Sequence, residues 1–116
     1  MQRSFRLTRS EDFKRVRRDG KSYAHPLVVL IAQNNDQPRV RVGVAAGKSV
    51  GTAVYRNRAK RLLREAMRTL IPNIASHSDL ILIARPALAS ASLTEVQEAL
   101  LHLLQRAKLL TPQNDT

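Results

Sequence analysis

Apolar residues recur along the chain in two periods, and the alternation between them predicts seven elements. Phe13 and Val16 stand three apart among charged residues and precede Gly20, which predicts a short helix over 11–19. Ser10 before Glu11 and Asp12 reads as its start: a hydroxyl for a free backbone N–H and two acids at the positive helix end. Residues 21–24 read as a short strand, with Pro26 marking its edge. Residues 27–32 are continuously apolar and rich in Val and Ile, as in a strand buried on both faces. Residues 34–38 (Asn-Asn-Asp-Gln-Pro) are turn chemistry. Arg39 and Arg41 then alternate with Val40, Val42 and Val44, so this strand and the preceding one read as an antiparallel hairpin.

Residues 47–51 form a Gly- and Lys-containing loop, and helical periodicity follows over 53–70 until Pro72. Residues 79–84 (Asp-Leu-Ile-Leu-Ile-Ala) read as another buried strand, ended by Arg85-Pro86. Ser92-Leu93-Thr94-Glu95 has capping-box spacing. Val96, Leu100, Leu103, Leu104 and Ala107 share a face beyond it, so the last helix runs to about Leu109. Residues 111–116 are polar and are expected to be a flexible tail. The order α-β-β-β-α-β-α predicts an α/β (α+β sandwich) fold in which helices pack on one mixed four-stranded sheet. At 116 residues, without a linker or an internal repeat, the chain is expected to form a single domain, 1–116.

Charge narrows the functions. Lys and Arg number 20 against 9 acids, a formal net charge of +11 on a chain that is 43% hydrophobic. Such an excess in a folding sequence implies a polyanionic partner. A membrane is disfavoured, since no apolar run approaches the roughly 20 residues of a spanning helix. The first seven residues are basic with no apolar core, so no secretory signal is expected and the reading is cytoplasmic. There is no cysteine, hence no disulfide and no thiolate metal site.

The second helix carries a one-sided row of cations. At about 100° per residue, Asn57, Arg61, Arg64 and Arg68 fall within an arc of roughly 60°. Lys60 and Arg56 flank that arc on one side and Arg58 on the other, while Ala59, Leu62, Leu63, Ala66 and Leu70 lie opposite. Within the helix Glu65 alone offsets the stripe, and like charges four apart destabilise a helix. A solvated face usually mixes signs. Guanidinium forks match phosphate oxygens in pairs, and Asn57 adds a donor and an acceptor in the same row. A DNA reader would also carry a basic helix, but the sheet-rich context does not suit a helix-turn-helix.

No protein active site is evident. His25, His77 and His102 lie far apart and read as surface or cap residues, and Glu11-Asp12 reads as a capping pair. Glu95 and Glu98 belong to a helix start, so nothing repeats the carboxylate set of a two-metal nuclease. Gly47-Lys48-Ser49 lacks the first glycine of a phosphate-binding P-loop. Neither a catalytic nor a metal site is expected in the protein.

The segment 47–65, Gly-Lys-Ser-Val-Gly-Thr-Ala-Val-Tyr-Arg-Asn-Arg-Ala-Lys-Arg-Leu-Leu-Arg-Glu, closely resembles the signature of the bacterial ribonuclease P protein component. Its hallmark is the Arg-Asn-Arg triplet followed by Lys-Arg-Leu-x-Arg-Glu. Glu11-Asp12-Phe13 with Gly20, Val42-Gly43-Val44 and Ile81-Leu82-Ile83-Ala84-Arg85 match the family in the same order. The resemblance implies a ribosomal protein S5 domain 2-like arrangement with an uncommon left-handed βαβ crossover. It implies an accessory subunit that binds the catalytic RNA and precursor tRNA and assists removal of the 5′ leader. Mg²⁺ would be bound mainly by the RNA, with no cofactor required by the protein alone, and neither DNA nor membrane is an expected partner. The implied RNA contacts are Arg56, Asn57, Arg58, Lys60, Arg61 and Arg64, with Lys48 and Gly51 in the loop before them; Arg68 joins from the helical stripe.

The implied leader cleft lies between the first helix and the sheet, at Phe13, Val16, Arg17, Leu27 and Val29, with Leu30 beside them. The family often has an aromatic residue at the position of Arg17, and sometimes at those of Leu27 and Leu30. Only Phe13 is aromatic here, which shifts leader binding from stacking toward charge unless Tyr23 or Tyr55 substitutes. Two rivals remain open: a stand-alone structural RNA binder of ribosomal-protein type, which charge and size allow equally, and a protein-only nuclease, which the carboxylate inventory disfavours.

Overall fold

The computed structural model describes residues 5–74 and 77–110. The elements are α1 (Ser10–Asp19), β1 (Lys21–Ala24), β2 (Val28–Asn34), β3 (Arg41–Ala46), α2 (Ala53–Leu70), β4 (Ser78–Ala84) and α3 (Leu93–Arg106). Single 3-10 turns, Lys48–Val50, Ile71–Asn73 and Pro86–Ser90, link them. The expected polar tail lies outside the described residues.

Capping chemistry is realised at one predicted helix start and not at the other. Ser92 accepts a hydrogen bond from the Glu95 N–H while the Glu95 carboxylate accepts one from the Ser92 N–H, the reciprocal pair that the spacing predicts. Ser10 does not cap α1. It is the first helical residue, and the cap position is Arg9, whose side chain makes no capping bond. Glu11 and Asp12 do occupy the first turn.

The sheet runs β1-β2-β4-β3. β1 and β2 are antiparallel, as are β2 and β4, while β3 and β4 are parallel. The expected hairpin of β2 with β3 therefore does not form, because β4 lies between them. Two causes are visible. Leu80, Ile81 and Leu82 are fully buried, so β4 gains most from a central place with helices on both sides. The turn after β2 is also tied to β4: the Asn35 N–H donates to the His77 carbonyl at 2.7 Å, and the Asn35 side chain donates to Asp79 at 2.6 Å. The outer edge of β3 is covered by the N-terminal segment, with the Leu7 N–H donating to the Val42 carbonyl at 2.9 Å.

The strand period divides the core in two. Val28, Leu30, Val42, Leu80, Leu82 and Ala84 join the cluster that contains α2 and α3. Ile31 and Ile81, with Val29 and Ile83 beside them, join α1 and Leu7 on the opposite face. α1 covers that face with few apolar residues. Val16 is fully buried and Phe13 half-buried, and burial of a valine contributes about 2 kcal/mol.

Polar bonds supply the rest of the attachment. Asp79 is 0% exposed at the start of β4. Arg41 donates to it through Nε at 2.9 Å and Nη2 at 2.8 Å, and Arg15 of α1 donates through Nη2 at 2.6 Å. Arg15 also reaches Gln33 of β2 and, at 3.2 Å, Asp12. Arg41 and Asp12 form a further ion pair at 3.7 Å. Burial pushes the Asp79 pKa up most strongly, but the hydrogen bonds from Arg41, Arg15 and Asn35 together outweigh it and hold the carboxyl below its ordinary value.

The lowered pKa fixes the sign of the pH dependence. The stabilisation from Asp79 is fully present above the ordinary aspartate value of about 3.9 and is lost as pH falls through the lower folded value. Asp79→Asn should lower stability at pH 7 by about 3 kcal/mol, at the low end for a broken buried pair because both arginines are partly solvated. Urea unfolding at pH 7 and pH 3 checks this: the variant should lose less stability on acidification than the native chain.

Candidate RNA interface

α2 is an 18-residue helix whose buried residues are Ala59, Leu63, Ala66 and Met67. This arc is rotated from the one the apolar pattern predicts. Met67 lies fully inside it, whereas Leu62, at its edge, and Leu70, the last residue of the helix, are only partly buried. The rotation brings one flank of the cationic stripe against the body of the protein. Arg56, Lys60 and Arg64 are half-buried, while Asn57, Arg58, Arg61 and Arg68 are exposed. Lys48 is exposed on the 3-10 turn that precedes the helix.

Charge pairing divides these residues. Arg68 donates to Glu65 at 2.8 Å, and this bond holds the exposed Glu65 carboxyl below its ordinary pKa. Among the described residues, no carboxylate stands within ion-pair distance of Lys48, Arg56, Arg58, Lys60, Arg61 or Arg64. Such a row attracts an anionic polymer over roughly a Debye length, about 8 Å at physiological salt.

Arg64 connects the stripe to a cleft. An open depression of about 230 Å³ is lined by Arg6, Leu7 and Thr8 of the N-terminal segment, Phe13 of α1, Val42, Gly43 and Val44 of β3, and Arg64. Gly43 is what lets Phe13 lie across the strand, because a Cβ at that position would fall 2.3 Å from Cζ of the ring. The cleft thus carries cations at two places, with one aromatic ring and a bare strand between them.

The predicted leader residues are not all brought together. Phe13 lines the cleft and Arg17 is exposed on α1 outside it. Val16 is fully buried beneath α1, so it shapes the cleft only by holding the helix down. Val29 is half-buried on the α1 face but does not line the depression. Leu27 and Leu30 pack with the α2 and α3 cluster on the other side of the sheet. Leu30 follows the strand alternation to that side, and Leu27 precedes β2, after Pro26, outside the alternation of Val29 and Ile31. Neither tyrosine enters the cleft: Tyr23 packs on the opposite core, and Tyr55 borders a separate depression at the start of α2.

Sequence reasoning missed the wall that β3 contributes and the Arg6–Thr8 segment. A glycine inside a strand pattern, Val42-Gly43-Val44, is a signal of close approach that could have pointed to it. The Asp79 cluster was missed as well, since it draws on five separate parts of the chain. His25 acts as a local cap: its Nδ1 accepts the Leu27 N–H at 3.1 Å, and its ring meets His102 edge-on at 6.2 Å. Burial, then His102 and Arg106, lower its pKa. Among the described residues, no group of three or more His, Asp or Glu side chains could hold a metal ion, and no helix is long and apolar enough to cross a membrane.

Known proteins share this arrangement. A family model described as Ribonuclease P matches residues 1–108. The "Ribonuclease P protein component" of Herpetosiphon aurantiacus is 45% identical over 109 residues, spanning 94% of this chain and 89% of that protein. The protein of the same name from an Exiguobacterium species is 41% identical over 113 residues, with 97% and 98% covered. Among solved structures, the Staphylococcus aureus RNase P protein superposes with a TM-score of 0.82 at 31% identity, over 92% of this chain and 98% of that one. The Thermotoga maritima RNase P protein superposes with a TM-score of 0.78 at 30% identity, over 87% and 96%. With a matching family model over nearly its whole length, relatives above 40% identity and the same helix-on-sheet architecture, the chain belongs to the ribonuclease P protein family.

Proposed function

We propose that the cationic face of α2, with Lys48, docks on the catalytic RNA of ribonuclease P, while the cleft beneath α1 receives the single-stranded 5′ leader of precursor tRNA. Family membership makes the chain the accessory protein subunit of a tRNA-processing ribonucleoprotein, so it has an RNA partner. The proposal concerns which residues hold that RNA and which substrate passes the cleft. The observation that carries it is the row of cations without carboxylate partners, continuous through Arg64 with the cleft that Phe13 and Gly43 form. Arg56, Asn57, Arg58, Lys60, Arg61 and, at the edge of the cleft, Arg64 would bind phosphates and ribose edges, and Arg68 would exchange Glu65 for phosphate, since an exposed pair is worth little.

Leader binding in this reading rests on Arg6 and Arg64 with Phe13 as the single aromatic platform. Near the cleft, the carboxylates of Asp12 and Asp79 are engaged by Arg15 and Arg41. In this reading Mg²⁺ and the hydrolytic chemistry belong to the RNA. The protein neutralises phosphate charge and raises the local concentration of substrate. The whole chain, 1–116, would act as one domain, in the cytoplasm.

In a reconstituted reaction with a bacterial ribonuclease P RNA and 5′-labelled precursor tRNA at low Mg²⁺, the native chain should restore correct cleavage. Arg61→Ala/Arg64→Ala should not, and its affinity for the RNA should depend on salt with a slope reduced by about two. If neither chain alters cleavage while both still bind RNA, the stand-alone structural RNA binder becomes the better reading. The cleft has its own test. Arg64→Ala should reduce the preference of the holoenzyme for precursor over mature tRNA, whereas Arg58→Ala, which does not line the cleft, should weaken RNA binding and leave that preference unchanged.

A further inference from the structure

Among the described residues, three large apolar side chains are exposed: Val54, Tyr55 and Leu101. Leu101 stands alone on α3, and a single exposed leucine needs no explanation. Val54 and Tyr55 are neighbours in the first turn of α2 and are 73% and 54% exposed. Tyr55 borders a shallow depression of about 330 Å³, lined also by Val50, Gly51, Thr52, Pro86 and Ala89. The depression forms where the turns Lys48–Val50 and Pro86–Ser90 pack together against α2.

The placement of the ring depends on Gly51. Its φ of +131° is one that a residue with a side chain rarely adopts. A Cβ there would fall 3.1 Å from Cδ2 of Tyr55, so the aromatic ring lies close against bare backbone. Lys48, on the turn before Gly51, and Arg58, one helical turn beyond Tyr55, are exposed, and neither has a carboxylate partner among the described residues. An apolar protein surface docked here would leave those charges uncompensated. An unpaired nucleotide satisfies both features, because its base has an apolar planar face and its phosphates are anionic.

We propose that Tyr55, with Val54 and the depression bounded by Pro86 and Ala89, is a stacking site for one unpaired base of the catalytic RNA, whose flanking phosphates meet Lys48 and Arg58. The proposal rests on the reading of α2 as the face toward that RNA. It concerns a place distinct from the leader cleft, since Tyr55 does not line the depression that holds Phe13.

The test is equilibrium binding of the full chain to a bacterial ribonuclease P RNA at fixed Mg²⁺ across a salt series. The chains compared are the native protein, Tyr55→Ala, Tyr55→Phe and Arg61→Ala/Arg64→Ala, with circular dichroism confirming that each is folded. Tyr55→Ala should weaken binding about tenfold without changing the salt slope, because stacking releases no counterions. Tyr55→Phe should stay within about twofold of native, since the ring is kept. If Tyr55→Ala binds like the native chain while the arginine double variant weakens, the stacking site is refuted and the α2 reading stands. If neither variant weakens binding, both fail. A loss that Tyr55→Ala shows only for leader-bearing precursor tRNA would move the tyrosine to the leader and overturn the proposal. So would Tyr55-dependent self-association of the free protein in sedimentation, which would assign the patch to a second copy of the chain.

Discussion

The buried carboxylate of Asp79 is the constraint on which the arrangement of the molecule depends. It lies at the β4 end of the register Arg41↔Asp79, where β3 joins β4 in parallel, and it accepts from α1, β3 and the turn after β2 together. A charge so placed is tolerated only with several donors around it, and once those donors come from separate elements their relative positions are set. α1 has one fully buried apolar residue, so it is held to the sheet as much by Arg15 and Asp12 as by hydrophobic contact. The cleft beneath α1 inherits its width from that clamp.

The same clamp sorts the cations. Arg15 and Arg41 are consumed by Asp79 and Asp12 inside the fold, and Arg18 and Arg68 by Asp19 and Glu65 on the surface. Those that remain without carboxylates on α2 gather on one side of the molecule. A net charge of +11 could have been spread evenly as a solubilising coat. Instead, part of it forms a row along a helix that meets the cleft at Arg64, which gives that part a direction. Rotation of the buried arc toward Met67 matters here, because it draws Arg56, Lys60 and Arg64 to the seam and leaves Arg58 and Arg61 projecting.

Aromatic residues are scarce, and the fold uses them at separate places. Phe13 lies across Gly43 within the cleft, Tyr23 supports the opposite core with Arg106 over its ring at 5.9 Å, and Tyr55 stands against Gly51 at the start of α2. In two of these three cases the neighbour is a glycine, since a planar ring can approach bare backbone where a Cβ would exclude it.

The sequence by itself determined the elements and the cationic chemistry of α2. The limits of α2, the capping box of α3 and the cationic stripe are properties of contiguous segments, in which helical period, caps and charge act on near neighbours. Only the tertiary structure decided what those segments meet. The period-two pattern of β3 is compatible with a hairpin to β2, but β4, apolar on both faces, competes for the central position and takes β3 as a parallel neighbour. Ser10 could cap a helix, yet α1 begins one residue earlier than that role allows, and its polar anchoring comes from Asp12 and Arg15 instead. Leu27 and Leu30 read as cleft residues and lie on the other face of the sheet, while Gly43 and Arg64, far apart in the chain, share the cleft. Pairing and facing depend on the burial of the whole molecule, and a local pattern does not carry that information.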